Sequence, residues 1–562
     1  MRKASNFLSK IDFMNKYISI VFIAFLISNS LKAQGLLGKK EEIFTHQDTL
    51  RGSITPERAW WDVKQYRLDV KVNPADSTIS GSNTICYKVL KSYNRMQIDL
   101  QKPMEIYKVT QDGKELKHTR DGNAFFIQLE TPQNIGEDKE LIVFYGGKPK
   151  IAVNPPWDGG ITWSKDKNGN PFIASTCQGL GASVWWPNKD HMYDEVENMY
   201  ISVNVPMNLT DVSNGRLQSV KDMKDGTRTF TWYVSNPINN YGVNINIGDY
   251  VNFSEVFKGE KGNLDCNYYV LKDNLAKAKI QFQDAVRMLK AFEHWFGPYP
   301  FYEDSYKLVE APYLGMEHQS SVTYGNDFAN GYRGRDLSDS GWGLKFDYII
   351  IHESGHEWFA NNITYKDIAD MWVHESFTTY SECLFVEYYY GKEAGSEYVR
   401  GQRNEIQNES QMIGKYDVNR EGADLYNKGA NMLHTLRQIV NDDKKWRTIL
   451  RGLNSTFYHQ TVTTKQIEDY LSQKIGLDLN PFFNQYLRDT RIPIFEYKVQ
   501  GNNLEYRWAN CVPDFNMPVK VTLNGKEEWL KPQSEWIIML KTPKDLKLEV
   551  DKDFYVNTLK SK

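Results

Sequence analysis

The run from Phe346 to Glu382 constrains this 562-residue chain more than any other. It contains His352-Glu353-Ser354-Gly355-His356, and eighteen residues lie between His356 and Glu375. Two histidines four apart project from one face of a helix, so both rings can reach a single metal ion. Apolar Phe346, Ile349 and Ile350 lead into the motif and suit a helix packed on its far side. Glu353 lies about 100° round the helix from His352, near enough to act on a water held there without binding the metal. A catalytic zinc takes three protein ligands and keeps one position open. Glu375, expected on a following helix, is the natural third ligand. A bare H-E-x-x-H arises often by chance; the following glutamate at this distance, within Trp372-Val373-His374-Glu375-Ser376-Phe377, is what makes a hydrolytic metal site the better reading.

Composition narrows the rest. A formal net charge of −3 gives nucleic acid no electrostatic footing, so no nucleic-acid partner is expected. The five cysteines are odd in number, scattered and without a C-x-x-C pair, which reads as mostly buried free thiols. At the N-terminus Arg2, Lys3, Lys10 and Lys16 precede the apolar run 17–27, and small residues follow up to Ala33. This is the pattern of a signal peptide over residues 1–33, too short in its apolar part to span a bilayer comfortably. A periplasmic or secreted protein is expected, with no stable membrane span in the mature chain; an uncleaved anchor is the competing reading. Met14 is an alternative start. Removing residues 1–33 deletes five basic residues and one acidic residue, leaving a formal charge of about −7.

Hydrophobic periodicity divides the remainder into an α+β multidomain chain. Residues 34–58 show no clear period and read as a leader segment. Residues 59–255 read as an antiparallel β domain: Tyr66, Leu68, Val70 and Val72 alternate with Arg67, Asp69 and Lys71, and Ile201, Val203 and Val205 repeat the pattern. The period turns helical near Asp273, where Leu275, Phe282, Val286, Leu289, Phe292 and Phe296 predict one amphipathic helix ending at Gly297-Pro298. Residues 256–490 form the expected catalytic domain. Residues 491–562, with alternation at Phe495, Tyr497 and Val499 and at Val519, Val521 and Leu523, read as a small β domain.

The metal motif and its spacing resemble the gluzincin aminopeptidases, the family of aminopeptidase N and leukotriene A4 hydrolase. The resemblance extends over about residues 60–495 and implies an N-terminal β saddle, a thermolysin-like zinc domain and one zinc ion on His352, His356 and Glu375. Glu353 would then be the general base. Pro312-Tyr313-Leu314-Gly315-Met316-Glu317-His318 resembles the family's G-x-M-E-N motif, whose glutamate binds a substrate's α-ammonium; Glu317 takes that place, with Gly315 and Met316 offering a strand edge to an extended peptide. Tyr313 is expected to wall the first side-chain pocket. Ser175-Thr176-Cys177-Gln178-Gly179 resembles the segment that supplies a glutamine to the same amino end, so Gln178 is a further binding residue. Tyr426-Asn427-Lys428-Gly429 resembles the Y-x-K-G run whose tyrosine stabilises the oxyanion. Glu382 stands where the family has a glutamate that orients a ligating histidine. Ser354-Gly355, His374, Ser376, Leu314 and His318 depart from the family's usual residues; the departures near the metal bear on efficiency or substrate preference, not on metal binding. The resemblance implies removal of N-terminal residues from peptides bearing a free amino end. A zinc endopeptidase or epoxide hydrolase on the same scaffold, and an inactive peptide-binding protein, are the alternatives.

Overall fold

The computed structural model describes residues 43–562 except Lys541 and Lys544, so the expected signal peptide lies outside the described residues. The chain forms two units, Met1–His46 and Gln47–Lys562. Among the described residues, the larger one contains every sheet and the helices around the metal motif. Where the sequence showed no period before residue 58, two short helices form, His46–Gly52 and Pro56–Ala59. No helix among the described residues is long and apolar enough to cross a membrane.

The N-terminal region is built on an eight-stranded sheet. Its spatial order is Arg216–Asp222, Thr227–Val234, Asn198–Pro206, Trp61–Asn73, Thr78–Val89, Asp138–Gly147, Glu105–Gln111 and Lys114–Glu115. The alternating side chains behave as their period requires: Tyr66, Leu68, Val70 and Val72 are buried. One expectation is corrected. The sheet is mixed, because Trp61–Asn73 pairs parallel with Asn198–Pro206, Leu68 opposite Ile201. A parallel pair needs a long crossover. Here the intervening chain supplies four further strands of this sheet and the loop that carries Gln178.

A mixed five-stranded sheet opens the central region, in the order Tyr250–Gly259, Gly262–Leu271, Tyr306–Glu310, Val322–Tyr324 and Gly315–Met316. The single amphipathic helix expected after residue 273 is instead two, Leu275–Gln281 and Gln283–Phe296, joined at Phe282. The Phe282 ring sets the break: it is buried edge-on against Tyr268 and Tyr324. The helix Trp372–Tyr390 is buried from Trp372 to Val386 and is therefore apolar or hydrogen-bonded all round rather than amphipathic.

Seven C-terminal strands form a four-stranded and a three-stranded sheet. Their apolar residues Phe495, Trp508, Phe515 and Tyr555 belong to the same hydrophobic core as the central helices, so no seam in the packing falls at residue 490. All five cysteines are free; Cys177, Cys266 and Cys383 are buried.

Candidate active site

The helix Tyr348–Gly355 carries the metal motif. Asp347 starts it, accepting hydrogen bonds from the backbone N–H groups of Ile349 (3.1 Å) and Ile350 (3.3 Å). Phe346, Ile349 and Ile350 are buried, as a helix packed on one face requires. The α-helix ends at His356, and residues 357–361 continue as a wider, irregular turn. Gly355 permits close packing of this helix on the next, since a Cβ there would lie 2.7 Å from Ser381 Oγ.

His352, His356 and Glu375 converge. Glu375 Oε2 lies 3.8 Å from His352 Nε2 and 3.5 Å from His356 Nε2. The far nitrogens are already engaged: His352 Nδ1 meets Glu382 Oε1 at 2.7 Å, and His356 Nδ1 lies 3.0 Å from the Phe359 carbonyl. Both Nε2 atoms therefore face the gap between the three side chains. Glu375 Oε2 is buried without a hydrogen-bond partner. An orphaned anionic oxygen between two free imidazole nitrogens is a donor set that fits zinc. Glu382 is the partner expected for His352, and its Oε2 is held by Tyr398 (2.7 Å) and Gln402 (3.2 Å).

Glu353 sits beside the triad in the same cleft. Burial pushes its carboxyl up to about 7, against the pull of His352 and with the charges of Glu375 and Glu382 adding. A carboxylate poised near neutrality suits proton transfer in both directions. Tyr426 closes the other side. Its ring stacks on His352, 26° off parallel with centroids 6.0 Å apart. Tyr426 as a whole residue is 42% exposed, at the edge of the cleft. Desolvation of its hydroxyl, then the charges of Glu375, Glu317 and Glu353, hold it protonated well above the usual phenol range. The Tyr426 run needs its glycine: a Cβ on Gly429 would lie 1.8 Å from Ser376 Oγ, which donates to the Leu425 carbonyl (2.7 Å).

Glu317 is brought to the metal side by residues far apart in sequence. Gln178 Nε2 donates to Glu317 Oε1 (2.6 Å) and to Glu375 Oε1 (3.0 Å), bridging the two carboxylates. Tyr241 donates to Glu317 Oε1 as well (3.2 Å). Burial, then the nearby Glu353 and Glu375 charges, push Glu317 well above the ordinary carboxylate range. Such crowding marks a pocket short of positive charge. Gly315 and Met316 line the cleft; a Cβ on Gly315 would press within 2.6 Å of Ile349 and 3.1 Å of Glu353, so only glycine leaves the base in place.

One expectation fails here. Tyr313 does not wall the cleft. Its ring is buried in the N-terminal core and its hydroxyl donates to the Ser175 carbonyl (2.9 Å) and Thr323 Oγ1 (3.2 Å). It braces the strand that leads into the Gln178 loop to the strand beside Glu317. Pro156, Trp157, Tyr332 and Tyr348 supply the aromatic and apolar wall instead. The departures Ser354, His374 and His318 also point away from the cleft: Ser354 Oγ bonds Tyr306 (2.7 Å), His374 Nε2 accepts from the Tyr365 N–H (2.8 Å), and His318 Nδ1 lies 3.3 Å from Thr323 Oγ1.

The cleft has a volume of about 450 Å³. Five carboxylates line it, those of Glu317, Glu353, Glu375, Glu421 and Asp424, and among the described residues no lysine or arginine does. No motif or period marked Tyr241, Trp157 or Glu421.

Comparison with known proteins bears on this geometry. Residues 280–486 match the Peptidase family M1 domain, a stretch that includes the metal motif, Glu317 and Tyr426. The chain is 21% identical to Probable aminopeptidase 1 of Sulfurisphaera tokodaii over 76% of its own length and 54% of that protein's. It is 22% identical to Leukotriene A-4 hydrolase of Xenopus laevis, covering 74% of this chain and 68% of the other. It thus spans little more than half the length of the Sulfurisphaera protein. An M1 zinc metallopeptidase from Deinococcus radiodurans superposes with a TM-score of 0.63 at 21% identity, over 75% of this chain and 91% of that one. A mutant of that metallopeptidase bound to a Tyr-Ser-Ala substrate superposes with a TM-score of 0.66 over 78% and 96%. At this identity the superpositions show a shared fold.

Proposed function

We propose, since this chain belongs to the gluzincin aminopeptidase family of M1 metallopeptidases, that it removes N-terminal residues from peptides with one zinc ion. The observation that carries this reading is the Gln178 bridge. It ties the carboxylate that would bind an ammonium to the carboxylate that would bind the metal, through contacts of 2.6 and 3.0 Å. The two anchors are thereby held one short step apart, which suits cleavage of the first peptide bond only.

His352, His356 and Glu375 would hold the zinc. When bound it supplies Lewis acidity, polarising the scissile carbonyl and lowering the pKa of water. A second grouping, Glu317, Glu353 and His356, shares His356 with the first, which favours a single ion. Glu353 takes a proton from the attacking water on its carboxylate and returns it to the leaving amine nitrogen. Tyr426 donates its hydroxyl proton as a hydrogen bond to the carbonyl oxygen as that oxygen gains negative charge. Glu317 accepts from the substrate's ammonium. Gln178 spends its N–H groups on the two carboxylates, leaving Oε1 to accept a further ammonium hydrogen. The substrate's backbone lies along the Gly315–Met316 edge. The Tyr-Ser-Ala complex of the Deinococcus metallopeptidase mutant is in keeping with a peptide as substrate.

The basic, apolar and small-residue runs of residues 1–33 favour export to the periplasm or beyond. N-terminal sequencing of the secreted or periplasmic form would find the chain beginning near Gln34; a cytosolic protein retaining residues 1–33 would refute this.

The function is tested with a matched pair of reporter peptides, one with a free amino end and its N-acetylated twin, with and without a chelator. Cleavage of the free form alone, abolished by the chelator and restored by zinc, is expected. Equal cleavage of both would replace this reading with an endopeptidase. Cleavage of neither, across a panel of first residues with zinc bound, would remove peptide hydrolysis altogether.

A further inference from the structure

Glu317 must stand at a fixed distance from the metal for only one residue to fit between them, yet 34 residues separate it from His352 in sequence. The link lies in the irregular turn that follows His356. Asn361 donates its backbone N–H to the His356 carbonyl (3.0 Å), closing that turn on the metal ligand. Its side-chain Nδ2 donates to the Glu317 carbonyl (2.9 Å). One residue thus spans from a ligand's backbone to the backbone of the ammonium-binding glutamate. Asn239 fixes its amide, donating to Asn361 Oδ1 (3.1 Å). A parallel tie runs from Glu357, whose carboxylate accepts from the Ser320 N–H and from the Tyr299 hydroxyl, both at 2.9 Å. Asn361 and Glu357 are both buried, so water does not compete with these bonds.

We propose that Asn361 is a positioning residue that sets the spacing between the metal and Glu317, and that Asn239 holds it in register. Asn361 touches neither substrate nor metal in this role. It acts through Glu317, and its loss should blur recognition of the amino end while the metal stays in place. The inference rests on the aminopeptidase reading.

Binding, not turnover, separates the two. In a zinc-loaded Glu353→Ala background, the affinities of L-leucinamide and N-acetyl-L-leucinamide are measured by calorimetry. The free amine should bind better in that parent. Adding Asn361→Ala should cut the preference about tenfold, as loss of one buried positioning hydrogen bond implies, with zinc content and Tm held. Asn239→Ala should cut it less, and Glu357→Gln, which keeps an acceptor for Ser320, should leave it within about twofold. The ratio of two affinities does not move with the fraction of folded protein, so a merely structural role would leave it unchanged. A parental preference that survives Asn361→Ala overturns the proposal and leaves the aminopeptidase reading intact. No parental preference overturns both. If Asn361→Ala does not fold or loses zinc, Asn239→Ala decides, and an unaltered preference in it overturns the proposal.

Discussion

The two halves of the cleft are made differently. The metal half comes from two packed helices, Tyr348–Gly355 and Trp372–Tyr390, with ligands set by helical spacing and one carboxylate, Glu382, locking His352. The amine half has no helix of its own. Glu317, Gln178, Tyr241 and Asn361 come from four separate segments and meet through single hydrogen bonds. A site held by helix packing tolerates loss of one hydrogen bond. A site held by hydrogen bonds between loops does not. Damage to the metal half should therefore appear as lost chemistry or lost zinc, and damage to the amine half as lost discrimination.

The largest effect that would sharpen this contrast is Glu353→Gln. It should lower kcat by about 10³- to 10⁴-fold, as loss of a general base does, with zinc still bound by elemental analysis. Retained activity would break the assignment of the base. Tyr426→Phe should follow at about 10²- to 10³-fold in kcat with KM little changed, because its hydrogen bond forms only as charge develops on the oxygen. Glu382→Gln touches no substrate and should weaken zinc about 10- to 100-fold in chelator competition, leaving the zinc-saturated rate near that of the parent. Acid should also act through the metal half. Glu353 must be ionised to accept a proton, so kcat/KM should fall as pH drops below about 7. The charge of bound zinc moves this limb toward lower pH, so a limb above 7 would contradict the assignment. The smallest expected effect lies in the acid-lined outer cleft. Glu421→Lys should raise KM several-fold for substrates with a basic second residue relative to neutral ones, and equal KM values would show that this wall does not meet the substrate.

The same contrast explains what could be read from residues alone. His352 and His356 follow one helical period, Glu375 stands at a telling distance after them, and Glu382 lies two turns beyond Glu375 on the next helix, so spacing carried them. Gln178, Glu317 and Tyr426 were legible only because the residues around them form short family-like runs. Tyr241 is one of 34 tyrosines and Asn361 the first of two adjacent asparagines outside any recognisable motif; their partners are 76 and 44 residues away, and no local pattern encodes such a meeting. Tyr313 misled because closeness to a motif does not reveal which side of a strand end a ring takes, and the apolar core claimed it. The parallel strand pair was hidden for a similar reason, since alternation reports a buried face and not the direction of the neighbour. The C-terminal strands were visible by period, but their sharing of a core with the helices depends on residues such as Tyr555, whose backbone N–H donates to Thr435 Oγ1 and whose carbonyl accepts from the Tyr486 hydroxyl, contacts that only tertiary packing makes.

The lack of any lysine or arginine along the cleft among the described residues has a consequence for substrate length. Under the proposed function, no side chain of this lining would pair with a peptide's C-terminal carboxylate, so the substrate would be held by its head. Each cut would expose a new amino end identical in kind to the last, ready to enter the same anchor. Such an enzyme would measure no length, and the identity of each first residue, not the size of the remaining chain, would set when it stops.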